Sequence, residues 1–161
     1  MYKRLTAIIL ILFITLGLTG CSSDLKFIFK KEKLSYNFYT DQLINSYIKN
    51  PPLEVYVFDV NMYKQINLSQ DQSFDILKFV NSLKPEYCNP DIKNSIGDKK
   101  SIYKVFISFA DTKYAINIYD ENYISISPWD GSLDKDYVDM KDIPLSLNLY
   151  GLCKYYVENN R

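Results

Sequence analysis

Hydrophobic and polar residues alternate most regularly between residues 101 and 128. Three runs, SIYKVFISF, KYAINIY and YISIS, change character at almost every residue, and the short polar segments ADT and DEN separate them. A period of two is that of a β-strand, and connections this short favour hairpins. The pattern therefore predicts an antiparallel meander of three strands that ends near Pro128, because proline cannot donate to a strand ladder.

Two further strands are expected earlier in the chain. Residues 53–62, LEVYVFDVNM, are rich in β-branched and aromatic residues, and a second strand is expected over residues 63–68. No such pattern is evident in residues 86–100, where Asn89-Pro90 and Gly97-Asp98 indicate turns, so this segment is expected to be a loop.

Three segments have a helical period instead. The first is an apolar stripe that ends at Pro51 and Pro52. The second, residues 70–83, follows a capping-box signature in which Ser69 precedes Gln72, and Pro85 stops it. The third opens at Pro144 or Ser146, and Gly151 weakens it by about 1 kcal/mol relative to alanine. The stripe of the first helix consists of Tyr36, Tyr39, Leu43, Ile44, Tyr47 and Ile48, and that of the third of Leu145, Leu149, Leu152 and Tyr156.

The order of these elements is helix, one or two strands, helix, meander and helix. Separated helices and antiparallel strands are typical of an α+β fold. We therefore expect an antiparallel β-meander sheet packed against two or three helices, in a single domain over residues 34–161. Its length of about 130 residues is ordinary for one domain.

The first 20 residues have a different character. Lys3 and Arg4 precede an apolar run from Leu5 to about Leu18, which is shorter than the roughly 20 residues that a transmembrane helix needs. A positive start, a short apolar core and small residues at its end predict a secretory signal peptide over residues 1–20.

The sequence Leu18-Thr19-Gly20-Cys21 resembles the lipobox of bacterial lipoproteins. The resemblance implies cleavage between Gly20 and Cys21, and a diacylglyceryl group on the Cys21 thiol. It also implies a membrane-proximal tether over residues 21–33 and a location on the extracytoplasmic face of the cell membrane. The alternative is an uncleaved anchor helix with an incidental cysteine.

The composition narrows the classes of function. Lys3 and Arg4 lie in the predicted signal peptide, so 17 basic side chains remain against 19 acidic ones, and this balance does not favour nucleic acid as a partner. The chain has no histidine, which excludes Ser-His-Asp and Cys-His catalysis and histidine metal ligands. Five glycines are too few for cofactor-binding loops, so we expect no cofactor.

Two cysteines follow Cys21, namely Cys88 and Cys153. Two cysteines in an exported chain could form a disulfide, and they could equally be two buried thiols. In either case we expect Cys153 to face the core from the last helix.

Five aspartates follow the meander, but they lack the EF-hand spacing, and lysines lie among them. We therefore expect a solvated acidic loop and no metal site. The five residues are Asp130, Asp134, Asp136, Asp139 and Asp142.

Trp129 is the only tryptophan, and it lies between Pro128 and the turn pair Asp130-Gly131. It could anchor a binding partner together with Asp130. It could also fold back over the sheet edge and cap the core, which we favour because tryptophan is highly buried on average.

The segments KYAINIYDENYISISPWDG and NLYGLCKYY make the mature chain resemble a family of small uncharacterised lipoproteins of low-GC Gram-positive, clostridial-type bacteria. The resemblance implies no assigned activity. Our first hypothesis is a lipid-anchored, non-enzymatic binding or accessory module that contacts an envelope protein or a small ligand. The alternative is a carboxylate-dependent cell-envelope hydrolase, since two carboxylates suffice for glycoside cleavage.

Overall fold

A six-stranded antiparallel sheet with the strand order β2-β1-β3-β4-β5-β6 forms the centre of the domain. The computed structural model describes residues 33–131 and 133–160, so the predicted signal peptide, the lipobox and the tether up to residue 32 lie outside the described residues. The strands are β1 (Glu54–Asp59), β2 (Lys64–Asn67), β3 (Tyr103–Ser108), β4 (Lys113–Ile118), β5 (Tyr123–Pro128) and β6 (Asp136–Asp139).

Within the described ranges, four α-helices accompany the sheet. They are α1 (Phe38–Lys49), α2 (Gln70–Ser82), α3 (Ile92–Ile96) and α4 (Leu149–Asn159), and short 3₁₀ turns cover Pro85–Tyr87 and Leu145–Leu147. The predicted capping box begins α2, because Gln72 N–H donates to Ser69 Oγ and Ser69 N–H donates to Gln72 Oε1. None of the described helices is long and apolar enough to cross a bilayer.

One face of the sheet is the core face. Val57, Val105, Ile116 and Ile126 pair across four neighbouring strands, and all four are fully buried. They pack into one hydrophobic cluster with α1, α2 and α4, to which the fully buried side chains Leu43, Phe79 and Leu149 contribute. The α+β prediction and its single antiparallel sheet are thus confirmed.

Among the described residues, a helix covers the opposite face only at its β6 side. There Ile92 and Ile96 of α3 pack with Tyr137, and Tyr119 and Tyr123 lie against them. We call the remainder, on β1, β3, β4 and the end of β5, the open face. The side chains on the open face do not belong to the hydrophobic core cluster.

Two elements were not predicted. Residues 92–96 form α3 inside the expected loop, and Asp136–Asp139 form β6 inside the expected acidic loop. Both are too short to show a period, and β6 exists because β5 offers it a partner edge.

The helix predictions were wrong in detail. Tyr36 and Ile48 are exposed, since only Tyr39, Thr40 and Leu43 of α1 are buried. Leu145 lies in a 3₁₀ turn and is exposed, and α4 begins after Asn148, whose side chain accepts from Gly151 N–H. The prediction that Cys153 faces the core is confirmed, because it is fully buried.

Candidate functional site: an aromatic patch on the open face

Three aromatic rings cluster on the open face near the ends of β3 and β5. The Phe106 ring stacks on the Tyr56 ring, with centroids 4.8 Å apart and an angle of 25° between the planes. The Trp129 ring meets the Phe106 ring edge-on, at 5.3 Å and 63°. Tyr56 and Phe106 are cross-strand partners, so the sheet register itself positions the first pair.

Lys113 lies in the middle of this cluster. Its ammonium donates a hydrogen bond of 3.0 Å to Tyr56 Oη. It also lies 4.9 Å from the ring centroid of Tyr56, 5.2 Å from that of Phe106 and 5.6 Å from that of Trp129. Such cation–π contacts are worth about 0.5–2 kcal/mol each, depending on desolvation. We call Tyr56, Phe106, Lys113 and Trp129 the aromatic patch.

Trp129 is the most exposed member of the patch, with 64% of its surface accessible, so the expectation that it caps the core was wrong. The reason lies in strand alternation. Pro128 still pairs with Tyr114, and Trp129 N–H donates to Lys113 O, so the strand pleat continues for one more residue. The side chain of Trp129 therefore points to the open face, opposite the core.

Asp130, the other predicted binding residue, lies in the turn that follows. Gly131 N–H donates to Pro128 O at 3.1 Å, which closes this turn. A Cβ on Gly131 would approach Pro128 O to 3.2 Å, so the glycine is required for space and not for a positive φ.

A shallow cavity of about 410 Å³ adjoins the patch. Ser108, Thr112 and Asp130 bring hydroxyl and carboxylate groups to its wall, and Lys113 and Trp129 form the side shared with the patch. Such a surface combines a flat apolar ring with both hydrogen-bond donors and hydrogen-bond acceptors. That combination suits a ligand with an apolar or ring-shaped face and several polar groups.

The acidic segment is not one solvated loop, because Asp136 is fully buried. Its Oδ2 accepts from Thr40 N–H at 2.6 Å and from Thr40 Oγ at 2.8 Å, and its Oδ1 faces the Lys33 ammonium as an ion pair. Lys33 also donates to Lys135 O at 3.0 Å. A carboxylate buried in this way serves the structure, since its charge and hydrogen bonds are taken up inside the domain.

The other aspartates lie nearer the surface. Asp134 pairs with Lys93 and Asp139 with Lys141. Asp130 and Asp142 are exposed. Among the residues that the structure describes, no three acidic or cysteine side chains are grouped to hold a metal ion.

The carboxyl groups with a shifted pKa give no support to a hydrolase. A hydrogen bond from Lys78 lowers the pKa of Asp75. Burial opposes a similar shift at Asp120 and Asp134, but hydrogen bonds from Lys99 and Lys93 leave both pKa values lowered. A general acid needs a raised pKa, so these three residues have the opposite character.

Cys88 and Cys153 are free thiols, so the disulfide left open by the sequence is not formed in this structure. Cys88 bridges to Val138 on the outer side of β6, whereas Cys153 is fully buried on α4, which packs against β1 at the other side of the sheet. Strands β4, β5 and β6 separate the two, at about 4.8 Å per strand, and a disulfide needs Cα atoms about 6 Å apart.

Sequence reasoning singled out Trp129 and Asp130 but missed Tyr56, Phe106 and Lys113. Each of the three lies on a strand at a position that faces away from the core. The alternation of each strand could have placed the three residues on that face. Their convergence depends on the pairing of β1 with β3, across about 50 residues of chain.

The fold and the patch together define a small α+β domain with one covered and one open sheet face. The family model described as domain of unknown function DUF4883 matches residues 33–153, and the chain belongs to this family. The chain is also similar to a solved structure described as a putative lipoprotein from Clostridium perfringens, with 30% sequence identity and a TM-score of 0.69. That similarity covers 79% of this chain and 99% of the other. No curated protein matches the chain.

Proposed function

We propose that the protein is a lipid-anchored, extracytoplasmic binding or accessory module of the cell envelope, and that it holds its partner or ligand on the aromatic patch. The anchor is supported by the lipobox-like sequence ending at Cys21, and by similarity to a protein described as a putative lipoprotein. The proposed role of the patch rests on one observation. Trp129 is 64% exposed, yet its ring packs edge-on against Phe106 and lies 5.6 Å from the Lys113 ammonium.

A ring held in this way suits recognition. Exposed aromatic rings offer a large contact area with few rotatable bonds, so little conformational entropy is lost on binding. The Lys113 ammonium has three N–H donors, one of which bonds to Tyr56. The ligand therefore presents an apolar or ring face to Trp129 and acceptor groups to Lys113, as a sugar ring or a peptide segment does.

The anchor is tested by metabolic labelling with palmitate. We expect the wild-type protein to incorporate label and to sediment with membranes, and Cys21→Ala to do neither. Incorporation of label by Cys21→Ala would show that Cys21 is not the lipidated residue.

The patch is tested by photo-crosslinking in intact cells, with a benzophenone amino acid in place of Asp130. We expect a defined crosslinked species that disappears when Trp129→Ala is added. A matched control carries the same probe together with Tyr155→Ala, because Tyr155 is similarly exposed but lies on α4. Crosslinks that survive Trp129→Ala, or that Tyr155→Ala also removes, would contradict binding at the patch.

A further inference from the structure

The ends of the strands that lie nearest Lys33 form one edge of the domain. Glu54 pairs with Ser108, Ser108 with Lys113, and Ile126 with Asp136, so β1, β4 and β6 begin where β3 and β5 end. We call this edge the proximal end, because Lys33 reaches the domain there.

Lys33 fixes the point at which the chain enters the domain. Its ammonium pairs with buried Asp136, donates to Lys135 O and lies 5.6 Å from the centroid of the Tyr39 ring. This partly buried lysine cannot move far from β6 without leaving the fully buried Asp136 carboxylate without its ion pair.

Exposed hydrophobic side chains are concentrated at this end. Leu34 and Tyr36 directly follow Lys33, and Ile48 lies at the end of α1 that leads to β1. Leu53 N–H donates to Ser108 O, which places Leu53 beside the first residue of β1. Phe74 lines a groove of about 560 Å³ together with Leu53. With Trp129, these are six of the ten large hydrophobic side chains exposed in the described residues.

We infer that the proximal end lies against the outer surface of the membrane, with Leu34, Ile48 and Leu53 inserted into its interface. This inference rests on the proposed lipid anchor at Cys21. Only 11 residues separate Cys21 from Lys33. The anchor therefore cannot be more than about 40 Å from the proximal end, even if the intervening chain is fully extended. Such a short connection makes contact with the bilayer effectively intramolecular, which favours weak apolar insertion.

The charges of the described residues at this end do not favour an electrostatic attachment. Four lysines are offset by five carboxylates, namely Lys33, Lys49, Lys113 and Lys135 against Glu54, Asp111, Asp130, Asp134 and Asp136. The contact is therefore apolar, with aromatic and aliphatic side chains at the level of the headgroups, where tryptophan and tyrosine are enriched. It needs no anionic lipid and tolerates salt. It also places the aromatic patch close to the headgroups, at the corner of the proximal end.

The single tryptophan makes this orientation measurable. The lipidated protein is reconstituted in phosphatidylcholine vesicles, with or without bromine atoms near the headgroup end of the acyl chains. We expect the brominated lipid to quench most of the Trp129 emission, and high salt to leave the quenching unchanged.

A proximal variant, Leu34→Ser with Ile48→Ser and Leu53→Ser, should float with the vesicles but lose the quenching. The matched distal variant, Met62→Ser with Tyr63→Ser and Leu145→Ser, changes three exposed side chains at other sites and should keep it. Circular dichroism of both variants establishes that they are folded.

The outcomes separate the two proposals. A wild-type protein that floats without quenching, or a proximal variant that is quenched like the wild type, overturns the docking and leaves the anchor standing. Equal loss of quenching in the distal variant also overturns the docking. A wild-type protein that carries no lipid and does not float overturns the anchor, and the docking with it.

Discussion

The two faces of the sheet carry side chains of different character, because only one of them packs against the helices of the core. On the core face, Val105, Ile116 and Ile126 are fully buried and pack against three helices. On the open face, the same strands carry Lys104, Phe106 and Lys113, and Trp129 extends the row into solvent.

The core face stabilises the fold, whereas the open face carries side chains that the core packing does not require. Burial of aliphatic side chains supplies the main driving force for folding, and the core face provides it. Nothing in that packing requires a tryptophan with most of its surface in water. The ring cluster on the open face is where we propose that recognition occurs, so variants of the two faces should differ in their effect on stability.

The largest loss of stability is expected for Asp136→Ala. This change leaves the Lys33 ammonium and the Thr40 N–H without their buried acceptor, which costs about 3–5 kcal/mol. Urea denaturation monitored by circular dichroism measures the effect. Asp134→Ala is the control, since its exposed pair with Lys93 is worth about 0–1 kcal/mol. Equal losses in the two variants would show that burial of the Asp136 pair is unimportant.

A smaller but still large loss is expected on the core face for Ile116→Ala. Removal of a fully buried isoleucine side chain costs about 2–5 kcal/mol, through lost transfer energy and the cavity left behind. Thermal and urea unfolding of this variant give the value. A loss below that of Trp129→Ala would reverse the assignment of the two faces.

Alkaline pH should destabilise the domain through its thiols. Burial raises the pKa of Cys88 from its ordinary 9.0 to about 11. Between these values the unfolded chain releases the proton and the folded chain keeps it, so stability falls as pH rises through this window. With allowance for the partial exposure of Cys88, we expect its share to be about 1 kcal/mol. Urea unfolding at pH 8 and pH 11 measures the fall, and a Cys88→Ala variant with the same fall would contradict it.

The smallest effect on stability is expected for Trp129→Ala. Because most of the ring is already in water, its removal should lower the free energy of unfolding by less than about 1 kcal/mol, within the range of surface substitutions. The same urea titration is used. A loss of about 3–5 kcal/mol, typical of a buried tryptophan, would show that the ring supports the core after all.

Local signals in the sequence were sufficient for most elements. Ser69 and Gln72 mark the start of α2 within four residues of chain, and the alternation of β3, β4 and β5 repeats over short turns. Signals of this kind can be recognised in the sequence because both partners lie within one window.

The missing parts depend on distant partners. The burial of Asp136 is compensated by Thr40, 96 residues earlier, and by Lys33, and a single sequence gives no indication of these contacts. The aromatic patch likewise needs β1 to pair with β3, after two intervening helices. Trp129 was misjudged because the average burial of tryptophan outweighed the direction set by one further pleat of β5.

The bridge between Cys88 and Val138 has a consequence for how copies of the protein behave beside one another. Together with the hydrogen bond from Asn89 N–H to Tyr137 O, it occupies part of the outer edge of β6 that would otherwise offer free backbone groups. The other edge strand, β2, has only four residues, and Lys64 and Gln65 begin it. Short, charged or covered edges resist sheet-to-sheet polymerisation. If the protein is anchored as proposed, its copies would diffuse in two dimensions and collide often, and an edge partly covered by its own chain would resist strand pairing between them.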